Sequence, residues 1–375
     1  MRKKYKLIKS ILLIIICVGS TLGNAGCSSK SVPCPDNAEY CVINSDLTKQ
    51  KGKYYFVDGE GNVVGDSCSV RMQDLEFYDV GEDNIILSGS RKNNNMIFNR
   101  GSSEINKDFF FLNEPKYTGV TAVKTRGDII LGLMNGGMSE KTYIDVLVLQ
   151  SLDGEVLHRS DVEIYAQDIL DNGSEAVIAG HYYEREKDNH YCAEIIKYDF
   201  DKPEQYEQYK YGERYSRFDA IIPYGEHYLC IAKNLYYTAN TLAIINKNTF
   251  EIEDEIVFGD DLGRIKEKDG RIYVLGLKGL YEVDIEKRDY SRKLKFDDYT
   301  DSYSAVAVSY FLDNKCYVFL RHGKVSNGDR NEYGYMLKID MDTLEVESRT
   351  PITSDKRTTL EIAFVLPASY MRESE

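Results

Sequence analysis

Beyond residue 39 the chain alternates short apolar runs with polar turns, and one order of runs keeps returning. A strand-like run ends in an acidic or amide residue and a turn, as in KYYFVDGEGNVV at Asp58. The same signal recurs near Arg100 and at Asp153, Asp199, Asn246, Asp284 and Asp340. The intervals are 42, 53, 46, 47, 38 and 56 residues, with a mean of 47. A fixed period of this size marks a repeat architecture. Before each turn after the first lies a nearly continuous apolar run, read as a strand with Gly or Ala: NIILSGS, DIILGLM, EAVIAGH, HYLCIAK, RIYVLGL and KCYVFLR. Val, Ile, Tyr and Phe dominate, as strands prefer, and runs without polar alternation suit strands covered on both faces. No long apolar period of 3.6 follows the first segment, so few helices are expected.

Four short antiparallel strands per unit, repeated seven times, resemble the seven-bladed β-propellers of the WD-repeat and PQQ types. The chain has no Trp, so it lacks both the Trp-Asp dipeptide of the first type and the Trp docking motif of the second. The expected fold is all-β: a seven-bladed β-propeller with four antiparallel strands per blade. A parallel β-helix expects shorter repeats, and two β-sandwiches give no reason for even spacing. The ends predict closure. Only EYCVINS and KYYFVD precede Asp58, and TLEIAFVLP (Thr359–Pro367) follows the last unit with no unit of its own. The C-terminal strand is therefore expected to become the innermost strand of the first blade, removing the open edges of a linear array.

The first segment has a different grammar. Arg2, Lys3, Lys4, Lys6 and Lys9 precede the apolar run Ile11 to Gly19, and STLGNAG leads to Cys27. A basic head, a short apolar stretch and a small-residue exit describe a secretory signal. The run is shorter than the roughly 20 residues a spanning helix needs. Ala25-Gly26-Cys27 resembles the lipobox of bacterial lipoproteins, with Asn24 where Leu or another apolar residue is usual. That resemblance implies a diacylated Cys27 as the new N-terminus, held on the outer side of a cell membrane. Residues 1–26 are then the signal peptide, 27–38 a lipidated tether and 39–375 the propeller domain. A plain secreted protein with an incidental Cys27 is the alternative. Two acyl chains hold firmly where one holds marginally, at roughly 0.8 kcal/mol per buried methylene.

Charge narrows the partners. The chain carries 47 basic and 61 acidic residues, and losing the five basic residues of 1–26 leaves 42 against 61, a net −19. Such a surface is repelled by nucleic acid and by anionic lipid headgroups, so the lipid must do the anchoring. Six cysteines follow Cys27: Cys34, Cys41, Cys68, Cys192, Cys230 and Cys316, with no CxxC pair. Cys34 and Cys41 are near enough in sequence to form a disulfide in an oxidising compartment, whereas Cys192, Cys230 and Cys316 sit in apolar strands as small hydrophobes.

Catalytic chemistry is not spelled out. The five histidines, His158, His181, His190, His227 and His322, show no HxH, HxxxH or HExxH spacing, so no metal site is expected. Asp260-Asp261 and Asp297-Asp298 read as solvated loop acids, and DGEGN as a tight hairpin. No phosphate-cradling glycine loop, GxSxG elbow or SxxK pair occurs. No cofactor is expected. The cluster Tyr206–Tyr215 reads either as a sticky patch or as alternate tyrosines of an outer strand. The long loops Met134–Thr142, Tyr183–His190 and His322–Gly334 point to a binding or scaffold module with a protein or peptide partner, acting as a monomer. The alternative is an extracytoplasmic lyase or hydrolase working in the central channel. A ring of charged or His side chains at a channel mouth would favour the enzyme, and small apolar residues the scaffold.

Overall fold

A computed structural model describes residues 32–46, 51–70, 73–102, 105–113, 118–184, 190–203, 205–212, 214–234, 236, 238–300, 305–322, 332–354 and 361–372. The signal segment and Cys27 lie outside the described residues. Seven four-stranded antiparallel sheets are arranged in chain order as blades 1 to 7. The described helical content is three single turns of 3-10 type, at Phe111–Asn113, Phe296–Asp298 and Ala368–Met371. Among the described residues no helix is long and apolar enough to cross a membrane.

All seven expected turns join the third strand of a blade to its outermost strand. Their chemistry explains the recurrence. Asp58, Asp199, Asn246, Asp284 and Asp340 each use a side-chain oxygen to accept backbone N–H bonds from residues two to four further on. Asx turns of this kind substitute a side chain for a missing backbone partner. The apolar runs are the second strands of blades 2 to 7, and their central residues are fully buried between neighbouring sheets.

Closure follows the expectation. Strand Glu361–Pro367 is the innermost strand of blade 1 and pairs antiparallel with Tyr40–Ser45, Tyr40 opposite Pro367 and Ser45 opposite Glu361. Residues 359 and 360 of the expected strand lie outside the described residues. Phe364 is 1% exposed and stacks on Tyr310 of blade 7 at 4.9 Å, with Tyr78 of blade 2 packed edge-on at 4.9 Å. Tyr310 Oη donates to the Val365 carbonyl at 2.6 Å. One chain end thus joins blades 7, 1 and 2.

The innermost strands are Glu361–Pro367, Leu75–Val80, Val120–Arg126, Tyr165–Asp171, Tyr215–Tyr224, Leu262–Lys268 and Ala305–Leu312. Each carries a β-bulge. The unpaired residues are Ala363, Glu76, Thr121, Gln167, Ser216, Gly263 and Ala307, and blade 5 has a second at Asp219. A bulge raises local twist and re-aims a side chain. Here Glu76, Gln167, Asp219, Gly263 and Ala307 all line the central channel.

Candidate functional site

Antiparallel order places two sets of connections on one face of the ring: those entering each innermost strand, and those joining second to third strands. This is the loop face, and all three long loops named above open onto it. They are shorter than expected, because strand Ile129–Met138 runs far into the first and strand Glu175–Glu184 into the second. The remainders, 185–189 and 323–331, lie outside the described residues. The extended hairpins of blades 3 and 4 form one wall of a cleft of about 360 Å³, and blade 5 forms the other.

Its lining is Tyr143, Tyr165, His181, Tyr191, Ser216, Arg217 and Lys233. Tyr143 opens the third strand of blade 3, and Tyr165 begins the innermost strand of blade 4. His181 and Tyr191 come from the second and third strands of blade 4. Arg217 and Lys233 belong to blade 5. The rings brace one another: His181 stacks on Tyr165 at 5.1 Å, and Tyr143 meets Tyr165 edge-on at 5.2 Å. His181 meets Tyr191 edge-on at 5.2 Å, and Tyr183 packs on both Tyr143 and Tyr191. Aromatic pairs of this geometry contribute about 0.5–1.5 kcal/mol each beyond area burial, so the wall is preformed and rigid.

Electrostatics set the character of the cleft. His181 is 7% exposed, and its Nδ1 has no hydrogen-bond partner. Burial, and then the nearby charges of Arg217 and Lys233, lower its pKa to about 3, so the ring is neutral at any ordinary pH. Arg217 Nε is paired with Asp219. Among the described residues Lys233 has no acidic partner. The cleft is therefore a positive spot on an acidic protein.

Gly180 keeps the cleft in shape. It faces Ala166 beside the bulge of the innermost strand of blade 4, and a Cβ there would lie 2.2 Å from the Tyr165 carbonyl oxygen and 2.9 Å from Ala166 Cα. Both are backbone atoms that cannot swing away. Gly180→Ala is expected to lower stability by about 1–3 kcal/mol, the range for overpacking, and to displace Tyr165 from His181. A urea titration gives the first effect and the Tyr165 ring resonances the second. An unchanged midpoint would show that the strands separate freely.

The central channel is the second candidate, a cavity of about 300 Å³ touched by six of the innermost strands. It carries charge: Glu76, Asp168, Arg217, Asp219 and Arg264, with Val123, Ala307 and Gly263 between. Asp168 and Arg264 engage other blades, Arg217 pairs with Asp219 on its own strand, and beside the channel a further pair joins blades 2 and 3. Lys124 Nζ lies 2.9 Å from Asp79, whose other oxygen accepts from the Thr125 N–H and hydroxyl. Asp168 accepts from the Ile221 N–H at 2.9 Å, and Arg264 lies over the Tyr78 ring at 4.5 Å. Burial raises the pKa of Asp168 despite Lys124 and Arg264. Burial alone would lower that of Lys124, but Asp79 and Asp168 raise it. Lys124 and Asp168 staple neighbouring blades, and Arg264 reaches across the channel from blade 6 to blade 2.

Other residues singled out from the sequence find structural partners. His158 Nε2 lies 2.7 Å from Tyr198 Oη, His227 pairs with Glu253 and His322 with Glu332. The side chain of His190 lies outside the described residues. Among the described residues no group of three His, Cys, Asp or Glu side chains is placed to hold a metal. Asp260 departs from the solvated-loop reading: it is 5% exposed and accepts from the Lys278 N–H and Tyr281 Oη. The tyrosines of 206–215 pack inward, with Tyr209 stacked on Phe250 at 3.9 Å and Tyr211 Oη donating to the Phe250 carbonyl. Cys34 is half-buried, its thiol 3.8 Å from the Ala368 carbonyl, and Cys41 is buried in the neighbouring strand. Both carry free thiols here.

The fold and the cleft define a class, a seven-bladed β-propeller with an aromatic, cationic depression on its loop face. No protein-family model matches the sequence, and no curated protein is similar to it. Solved structures do match the fold. The chain is similar to the Cps50 (Swd1) β-propeller domain of Myceliophteria thermophila, with a TM-score of 0.51 and 12% identity over 77% of this chain and 88% of that one. A chain of a mitotic checkpoint complex gives a TM-score of 0.50 at 9% identity, over 76% of this chain and 81% of that one. The Neurospora crassa Pan2 WD40 domain gives 0.46 at 9% identity, over 76% and 80%. At 12% identity the likeness to the Cps50 (Swd1) β-propeller domain is one of fold alone.

Proposed function

We propose that the protein is a lipid-anchored, extracytoplasmic binding module that engages a protein or peptide partner through its loop face, as a monomer, at the cleft between blades 4 and 5. The cleft carries this reading: a rigid aromatic wall ending in a lysine with no acidic partner among the described residues is what a recognition site needs and what a purely structural blade junction does not. The anchor rests on the lipobox-like Ala25-Gly26-Cys27, and the location on the outer face of the cell membrane follows from it. The path of the chain supports the pairing of anchor and cleft. Val32 donates to Tyr54 Oη and Arg372 reaches the Pro35 carbonyl, so the tether joins the ring at blade 1. In a seven-membered ring, blades 4 and 5 lie opposite blade 1, so the cleft sits on the far side of the ring from the point where the tether enters. A Cys34–Cys41 bridge would fasten that entry point after export.

For the enzyme alternative, the channel does carry the charged lining such a site would use. Those charges are largely paired, and the described histidines lie elsewhere, which favours the binding module. The test is a photo-crosslinking amino acid placed in cells at Tyr143 or, on the opposite face, at Asn248. Discrete adducts from Tyr143 and none from Asn248 are expected. Equal labelling from both faces, or from neither, would contradict loop-face binding.

A further inference from the structure

We infer that the cleft receives a carboxylate attached to a flat ring, and that Arg217 and Lys233 hold the carboxylate while the tyrosines cover the ring. This deepens the binding-module reading and rests on it. At about 360 Å³ the cleft lies at the small end of ligand sites, so it admits a single ring with its acid group rather than an extended chain. The polarity runs in one direction. Tyr143, Tyr165, His181 and Tyr191 build an uncharged aromatic wall from blades 3 and 4. The two cations stand together on blade 5. A cationic ligand, which an aromatic box alone would welcome, is repelled by that pair.

The charge count favours a single negative charge. Asp219 pairs with Nε of Arg217, which lines the cleft, and offsets one positive charge, while Lys233 has no acidic partner among the described residues. A carboxylate matches both the fork of an arginine and a net charge of one, whereas a phosphate dianion would be half uncompensated. The neutral His181 adds a polar edge to the wall without adding charge. The remainder of the protein, net negative, repels large polyanions but not a small monoanion that reaches a local positive site.

The ring and carboxylate can come from a free aromatic acid or from the C-terminal aromatic residue of a peptide. The experiment is ligand-observed NMR titration of the purified chain with phenylacetate, phenylacetamide, phenyl phosphate, and the peptide Gly-Gly-Gly-Phe with a free or amidated terminus. Either acid should bind about 10- to 100-fold more tightly than its amide, the range for a hydrogen bond to a charged group. Binding of phenylacetate alone would assign a free acid, of the peptide alone a chain terminus, and of both the shared group. Lys233→Met should lose about tenfold in affinity. Arg217→Met should lose as much, and Lys233→Met keeps the test open if loss of the Asp219 pair unfolds the Arg217 variant. Amides binding as well as acids, phenyl phosphate binding tightest, or no binding by any probe would overturn the inference. If no probe binds but Tyr143 still gives adducts in cells, the ligand chemistry is wrong and the binding module stands. If the acids bind and no adduct forms, the cleft is a small-molecule site and the macromolecular partner is wrong.

Discussion

Phe364→Ala is expected to lower the stability of the whole propeller by about 3–5 kcal/mol, the range for removing a fully buried Phe. It will do so from a strand only seven residues long. Phe364 is 1% exposed and fills the junction of three blades, against Tyr310 on one side and Tyr78 on the other. The strand that carries it pairs with Tyr40–Ser45 across more than 300 residues of chain. Losing the ring removes contacts that no sequence-local strand can replace, and it weakens the pairing that hides the edges of blades 1 and 7. Urea titration followed by far-UV circular dichroism measures the change, and removing residues 361–375 should abolish the folded monomer altogether. A Phe364→Ala midpoint within error of wild type would show that the ring is closed by something else.

Glu194→Gln is expected to do the opposite, and only at high pH. Glu194 is fully buried in the third strand of blade 4, and neither carboxylate oxygen has a hydrogen-bond partner. Burial raises its pKa to about 8; Lys210 opposes that shift and Glu163 adds to it. In the unfolded chain the group titrates at the ordinary glutamate value near 4.5. Between those two values the folded state holds a proton that the unfolded state does not, so stability falls as pH rises through this window. Below about pH 4 both states are protonated and the penalty is absent. The amide cannot ionise, so the variant should gain about 2–4 kcal/mol over wild type at pH 9 and almost nothing at pH 4. Paired urea titrations at the two pH values read this directly. A difference independent of pH would mean that Glu194 is charged and compensated in the folded state.

How far the fold could be read depends on which interactions are local. The seven turns were legible because Asp58, Asp199, Asn246, Asp284 and Asp340 bond to backbone within a few residues of themselves. The second strands were legible because burial on both faces leaves no polar alternation, as in HYLCIAK. The C-terminal clasp followed from counting, since one unit lacked a strand and one strand lacked a unit. The bulges were not legible. A bulge is a mismatch between two strands, and Glu76, Gln167 and Ala307 look like ordinary strand residues until their partners are known.

The cleft was hidden for a related reason. Its residues come from three blades and span Tyr143 to Lys233, and each alone looks like a strand residue. His181 lies within strand Glu175–Glu184, where its own segment marks it only as a strand residue, and its neighbours across the ring give it a place in the wall. One signal did exist: His181, Tyr182 and Tyr183 stand in sequence just before a long hairpin. Asp260 was misjudged because an acidic doublet looks solvated, while the Lys278 N–H and Tyr281 Oη that bury it lie 18 and 21 residues away.

The measurement that bears most directly on a membrane-tethered binding module is the intact mass of the protein extracted from membranes, beside a Cys27→Ala variant. The account predicts a chain that begins at Cys27 with the added mass of its acyl chains, and a variant that leaves the membrane fraction. A soluble wild-type chain cut at another position, with no added mass, would contradict it and return the cleft to a freely diffusing protein.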